Sequence, residues 1–205
     1  MDIYEAIEKR HTIRDFTEQT APENVLERIL AAGLKAPSHD HARDWHFVVV
    51  RDVERIAELL KKVSGGADAQ MEFVKQWTTA SESQRAMYFN AIPRQTKMLM
   101  QSRCLVLPFF RAGADLMQPK GITSLNSFAS IWCVIQNILL AATSEGLGCA
   151  LRIPIGDEED YVLSQVLAPS GFRMPCYLVG YAAPNASVIH QTPCPLEERI
   201  HRNVW

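Results

Sequence analysis

Trp45-His-Phe-Val-Val-Val50 strings aromatic and β-branched residues together in a way that suits a buried strand. Two more runs share that character, Cys104-Leu-Val-Leu-Pro-Phe-Phe110 and Met174-Pro-Cys-Tyr-Leu-Val-Gly-Tyr181. Pro108 suggests that its strand is an edge or is near its end, because proline brings no N–H to a ladder. Helical stretches separate these runs. Asp2 to Lys9 places Ile3, Ala6 and Ile7 at helical spacing. Thr20-Ala-Pro-Glu23 opens a second helix, with Thr20 as cap, Pro22 in the first turn and Val25, Leu26, Ile29 and Leu30 as the apolar face. A third runs from Asp52 to Val63 and another from Asp157 to Leu167. The longest is capped at Asn126 or Ser127 and stops at Glu145-Gly146. Apolar residues cover nearly every side of it, as a central helix requires. Strands separated by helices predict an α/β or α+β domain with a small mixed sheet.

No repeat, low-complexity tract or linker divides the 205 residues, so they read as one domain, 1–205. Residues 64–103 are a helical excursion. Ser64-Gly65-Gly66 breaks the chain ahead of it, Pro93 should interrupt or start a helix, and Met and aromatic residues are scattered without one period. Such a segment suits a lid over a site or a dimer surface. Residues 183–205 form a Pro-punctuated C-terminal arm. Its Val188, Ile189, Leu196, Ile200, Val204 and Trp205 are too apolar for a frayed end and call for a packing partner, with another subunit as one candidate.

A formal net charge of -2 gives no footprint for nucleic acid or an anionic membrane surface. Phe128 to Ala142, the most apolar run, is shorter than the roughly 20 residues of a bilayer span. The five cysteines form no C-x-x-C pair, which points to reduced thiols rather than a zinc knuckle or redox dithiol. With no apolar leader at the N-terminus, the expectation is a cytoplasmic, soluble protein.

Arg10-His-Thr-Ile-Arg14 is the densest cluster of anion-binding side chains. Two guanidiniums flanking a hydroxyl suit a phosphate monoester, although cations at a helix C-terminus also complement its dipole. His39, His41 and His46 share a loop with Asp40 and Asp44 but lack the spacing of a metal site, so no metal is expected. There is no G-x-S-x-G, Walker A or G-x-G-x-x-G. Glu158-Glu-Asp160 reads as the acidic first turn of a helix. A possible anion site without a nucleophile or its base leaves cofactor chemistry open.

Three motifs in register carry a resemblance: Glu8-Lys-Arg-His-Thr-Ile-Arg-Asp-Phe16, Ala36-Pro-Ser-x6-Trp45-His-Phe-Val-Val49 and Asn137-x-Leu-Leu-Ala-Ala-x3-Gly-Leu-Gly148. In order and spacing the chain resembles the FMN-dependent nitroreductases. The resemblance implies an α+β homodimer with a helix-flanked mixed sheet, FMN at the subunit interface and C-terminal tails exchanged across it. It implies an FMN-dependent NAD(P)H oxidoreductase, with hydride passing from NADH or NADPH to an electron-poor small-molecule acceptor, a nitroaromatic or quinone, in ping-pong order. By the same resemblance Arg10 and Thr12 meet the FMN phosphate, His11 lines the ribityl chain and Arg14 approaches the N1/O2 edge of the ring. Pro37, Ser38 and His39 reach the flavin from the partner subunit. Ile153, Pro154, Ile155 and Gly156 run along its face and present a backbone N–H near N5.

The chain also departs from the family pattern. His41, Arg43 and Asp44 stand where Asn, Gln and Pro are usual, which places His41 among the residues facing the cofactor. Gln191-Thr-Pro-Cys-Pro195 lacks the usual basic pair, leaving Arg202 or His201 as substitutes at the phosphate. These departures keep two further readings open: a specialised flavoenzyme of the same fold, dehydrogenase or dehalogenase-like, and a non-catalytic FMN-binding module.

Overall fold

In the computed structural model, residues 1–63, 67–113, 115–185, 188 and 192–205 are described. Ser64-Gly65-Gly66, Ile189 and Gln191 lie outside them. The helices are α1 (Ile3–Lys9), α2 (Glu23–Gly33), α3 (Val53–Leu59), α4 (Ala67–Gln76), α5 (Glu82–Met100), α6 (Asn126–Ser144) and α7 (Glu158–Gln165). The strands are β1 (Trp45–Val50), β2 (Leu105–Arg111), β3 (Gly148–Arg152), β4 (Phe172–Arg173) and β5 (Tyr177–Ala182). Capping fixes several helix starts. Asp2 and Asp52 accept from the backbone of Glu5 and Arg55, and Ser81 with Gln84 forms a full capping box on α5. Thr20 caps nothing; Pro22 precedes α2 without a side-chain bond. Asn126 begins α6 rather than capping it, after a 3-10 turn over Ile122–Leu125.

The sheet order is β1-β2-β5-β3, with β4 also on β2. Every strand pair is antiparallel, so the mixed character expected of the sheet reduces to one isolated parallel bridge, Thr12 to Cys149. Pro108 is not on an edge strand. It faces Phe47 of β1, and on its other side it falls between the residues of β2 that pair with β5 and those that pair with β4. No ladder there asks for the N–H it lacks.

Alternation along β2 divides the core. Val106 and Phe110 pack with Leu26 and Ile29 of α2 and with Val134, Ile135 and Ile138 of α6. Leu105, Leu107 and Phe109 pack with Ile56, Leu59, Met98, Leu99 and Val162 on the other face. Helices therefore cover both faces. Gly33 lets α2 approach α6, since a Cβ there would come within 2.7 Å of Ile138. With its leading turn, α6 spans Ile122–Ser144, 23 residues that include an 18-residue window of mean hydropathy 1.5. By length and composition this matches a membrane span, longer than the run from Phe128 suggested; in the fold it packs on α2, β2 and β3.

A bulge in β5 governs the sheet edge. Gly148 pairs with Ala182 and Ala150 with Val179, so β5 carries one extra residue here. The parity change turns Tyr181 to the same face as Cys176 and Leu178. Gly180 adopts φ +107, and a Cβ on it would meet the Phe16 ring at 2.4 Å. Gly180→Ala should therefore cost about 2 kcal/mol or more in a urea titration, combining left-handed strain with a ring clash. Gly121→Ala, at an open site, should stay within about 0.5 kcal/mol.

Burial also raises the Cys104 thiol to about 11 and the Cys149 thiol to about 12, from an ordinary 9.0, and raises Cys176 further. Above 9.0 the unfolded chain releases these protons while the native state retains them. Their contribution should be fully present below 9.0 and fall as pH rises through the native values. The urea midpoint followed upward from neutral pH checks this.

Candidate functional site

The parallel bridge decides where Arg10 to Arg14 lies. Ile13 N–H donates to the Cys149 carbonyl at 3.1 Å, which adds the segment to the free edge of β3. The Ile13 side chain fills the space above Gly148, where a Cβ would lie 3.0 Å from it. Gly148 is thus a packing glycine, and Gly146, at φ +76, ends α6. Asp15 and Phe16 continue along the edge; the Asp15 carbonyl accepts from Asn185 N–H, and Phe16 bridges to Pro184.

A cavity of about 630 Å³ opens along this segment. Arg10, His11, Thr12, Arg14 and Asp15 form one side, Met87, Tyr88, Asn90, Ala91, Arg94 and Gln95 of α5 another, and Val188 with Thr192, Pro193 and Cys194 a third. The Arg14 guanidinium is partly buried, and its Nε has no hydrogen-bond partner among the described residues. Burial, then the positive charge of Arg94, lowers its proton affinity from the ordinary guanidinium value. Arg94 pairs with Asp15 at 3.2 Å and donates to the Asn90 amide oxygen at 3.4 Å. Three guanidiniums thus share the cavity with two carboxylates, Glu8 and Asp15. An unfilled buried donor between like charges favours an anionic ligand. Neither Arg94 nor Asp15 was singled out in the sequence, where 78 intervening residues hide their pairing.

Pro93 lies inside α5 instead of bounding it. The excursion comprises two helices, α4 and α5, joined through packed aromatics: Phe73 tilted against Trp77 at 5.9 Å and Trp77 edge-on to Tyr88 at 5.4 Å.

Ser38 and His39 line a different cavity, of about 420 Å³, with Arg43, Asp44, Trp45, Phe110, Arg111 and Ser130. Its walls are built tightly. Ser130 Oγ accepts from His39 N–H at 3.1 Å and donates to the Asn126 carbonyl at 2.8 Å. The Asn126 amide lies 3.2 Å from His39 Nδ1. Asp44 bonds Arg111 and lies 3.2 Å from His46 Nε2; Arg111 first, with His46 adding to it and desolvation opposing, holds its carboxyl below the ordinary value. Ser38 Oγ is buried without a hydrogen-bond partner among the described residues. Asp40, His41 and Arg43 all adopt positive φ, at 50, 53 and 47 degrees. Pro37 and His41 flank this pocket in sequence without lining it.

The remaining expected contacts are dispersed within one subunit. Ile153 and Ile155 are half exposed beyond the end of β3. Arg202 and His201 are exposed in the arm and line neither cavity; His201 instead stacks on Trp205 at 4.5 Å. Ile155 N–H is committed to Glu158 at 3.2 Å and Pro154 has none, leaving Ile153 and Gly156 as the segment's remaining backbone donors.

A helix-covered antiparallel sheet with a guanidinium-lined cavity at its edge defines the nitroreductase-like α+β class. A crystal structure of oxidized iodotyrosine deiodinase bound to FMN and 3-iodo-L-tyrosine superposes with a TM-score of 0.73, at 22% identity and over 100% of both chains. The Nitroreductase family profile matches residues 7–174, and the chain belongs to that family. Among curated relatives, a putative NADH dehydrogenase/NAD(P)H nitroreductase of Methanothermobacter thermautotrophicus is 39% identical over 59 residues, 29% of this chain and 31% of the relative. Iodotyrosine deiodinase 1 of Mus musculus is 33% identical over 184 residues, 83% of this chain and 62% of the relative. The chain thus spans less than two thirds of either relative.

The three positive-φ residues of this loop, of which Asp40 and Arg43 line the second cavity, store backbone strain. Asp40→Gly should raise stability by up to about 1 kcal/mol in chemical denaturation, because glycine adopts φ 50 without cost.

Proposed function

We propose that the protein is an FMN-dependent oxidoreductase that takes electrons from NADH or NADPH and delivers them, in ping-pong order, to an electron-poor small molecule of nitroaromatic or quinone type. The observation that carries this reading is the unfilled, buried Nε of Arg14 in a cavity that also holds Arg10 and Arg94. The residues present fit FMN. Arg10 and Thr12 supply charge and a hydroxyl for a phosphate, Arg14 supplies a cation and a donor for a polar ring edge, and Met87, Tyr88 and Ala91 supply an apolar wall. When bound, FMN supplies the two-electron relay between donor and acceptor. The protein's part is to bind, orient and hold positive charge where negative charge accumulates.

The reading includes a homodimer in which Ser38 and His39 of one subunit complete the site of the other. Two features support it. Ser38 Oγ is unpaired in a cavity separate from Arg14, and the arm leaves Leu196, Val204 and Trp205 exposed. Exchange of the arms would cover those side chains.

A second reading, reductive dehalogenation, is favoured by the extent of the deiodinase alignments. They cover up to 96% of this chain, against 29% for the first nitroreductase match. The non-catalytic alternative predicts bound FMN that neither nucleotide reduces.

One titration separates these. Purified protein given FMN should show the blue flavin absorption band, and anaerobic NADH or NADPH should bleach it. Reoxidation by a nitroaromatic supports the first reading; iodide release from 3-iodo-L-tyrosine supports the second. A colourless protein that takes up no FMN refutes both. Arg14→Met should weaken FMN binding by at least about tenfold, measured by quenching of flavin fluorescence.

A further inference from the structure

Arg152, the last residue of β3, and Glu158, the first of α7, face each other beneath the loop that joins them. They are 5% and 2% exposed, the most deeply buried ion pair among the described residues. The pairing is bidentate. Arg152 Nη1 donates to Glu158 Oε2, and Nη2 donates to Oε1 at 2.8 Å. Oε2 also accepts the Ile155 N–H at 3.2 Å, so one carboxylate holds both the strand end and the loop.

A pair this buried is a poor source of net stability. Desolvation offsets most of its attraction, and apolar residues of equal volume would close the same space at no loss. What a planar guanidinium fork supplies is geometry, because it meets a carboxylate squarely in one register. Here that register fixes Ile153-Pro154-Ile155-Gly156. Pro154 stiffens the loop, Gly156 turns it at φ +61, and the Ile155 amide is tied down. Ile153 and Ile155 are left 49% and 51% exposed, two aliphatic side chains held outward by a buried anchor.

The location gives that rigidity a purpose. Thr12 lies opposite Cys149 in a parallel bridge, so the segment carrying Arg14 and β3 advance together along one edge. The loop leaves that edge directly beyond β3, in the direction in which the Arg10–Arg14 segment runs, outside the residues that line the Arg14 cavity.

We propose that Arg152 and Glu158 are positioning residues that hold the Ile153–Gly156 loop as a fixed apolar ledge of the flavin site. This rests on the FMN reading above. The pair touches no ligand; it acts through the Ile155 amide and the backbone on either side.

Two double variants isolate the acceptor from the charges. Arg152→Met with Glu158→Gln removes both charges but keeps a carbonyl that can accept from Ile155. Arg152→Met with Glu158→Met removes the acceptor as well. Ile155 amide exchange without added cofactor, followed by NMR, reads the ledge directly, and flavin fluorescence quenching reads FMN affinity. In the Met/Met variant the Ile155 amide should exchange at least about tenfold faster and FMN should bind about tenfold more weakly; the Met/Gln variant, which keeps an acceptor but not the fork that orients it, should show the same changes at smaller size, and parental values there would overturn the part given to Arg152. Unchanged exchange in the Met/Met variant overturns the clamp. Faster exchange with unchanged FMN affinity overturns the ledge's role in binding. If the Met/Met variant does not fold, the parent decides: an Ile155 amide as labile as exposed loop amides overturns the clamp, and a protected one supports it. A parent that shows the protected amide yet takes up no FMN refutes the FMN reading and leaves the clamp standing.

Discussion

The backbone hydrogen bond from Ile13 N–H to the Cys149 carbonyl docks the N-terminal segment on β3 and so sets where its side of the cavity lies. An extended segment after α1 has no ladder of its own. Docked on β3, it gives the Ile13 N–H a partner and seats Ile13 over Gly148. Phe16 is seated over Gly180 on the adjacent strand in the same way. These two side chains fix both the line and the depth of the segment. Arg10, Thr12, Arg14 and Asp15 are then carried to one side of the molecule, where α5 supplies the opposite wall.

Electrostatics within the cavity follow from that placement. Arg14 is drawn in far enough to lose water at Nε, yet no carboxylate among the described residues bonds it there. Asp15, its immediate neighbour in the chain, is turned to Arg94 instead. The arrangement leaves positive charge uncompensated inside and compensates it further out. A site built for its own stability would have reversed that order, because unpaired buried charge is costly. Strain in the second cavity has the same character: three successive departures into left-handed backbone within four residues persist because Ser130, Asn126 and Arg111 hold the surrounding groups.

Much of this was readable in the residues. The β-branched run of β1 gave its boundaries without error but not its burial, since β1 ends the sheet and only Trp45 and Val50 of it are buried; the apolar character of α6 foretold its central position. The Arg10–Arg14 cluster was visible as a candidate anion site. Other features were hidden for physical reasons. β4 is two residues long, too short for any alternation. The capping box at Ser81-Glu-Ser-Gln84 was a legible start signal for α5, masked by the irregular apolar pattern behind it. Arg94 and Glu158 were opaque because their roles depend on partners brought in by the fold. Glu158 belongs to an acidic first turn, as its neighbours suggested, but the turn of α7 points it inward to Arg152 while Asp160 faces water.

Pro93 carries a mechanical consequence. With no N–H to return to the Phe89 carbonyl, and a ring that crowds it, the helix lacks one rung between Tyr88 and Arg94. The wall of the cavity is therefore two levers joined at a soft point. Tyr88 belongs to the first, coupled to α4 through Trp77, and Arg94 belongs to the second, moored to Asp15. The aromatic half and the guanidinium are thereby anchored separately, on either side of the missing rung. In this way a residue usually regarded as a helix breaker separates the anchoring of the apolar wall from the anchoring of charge.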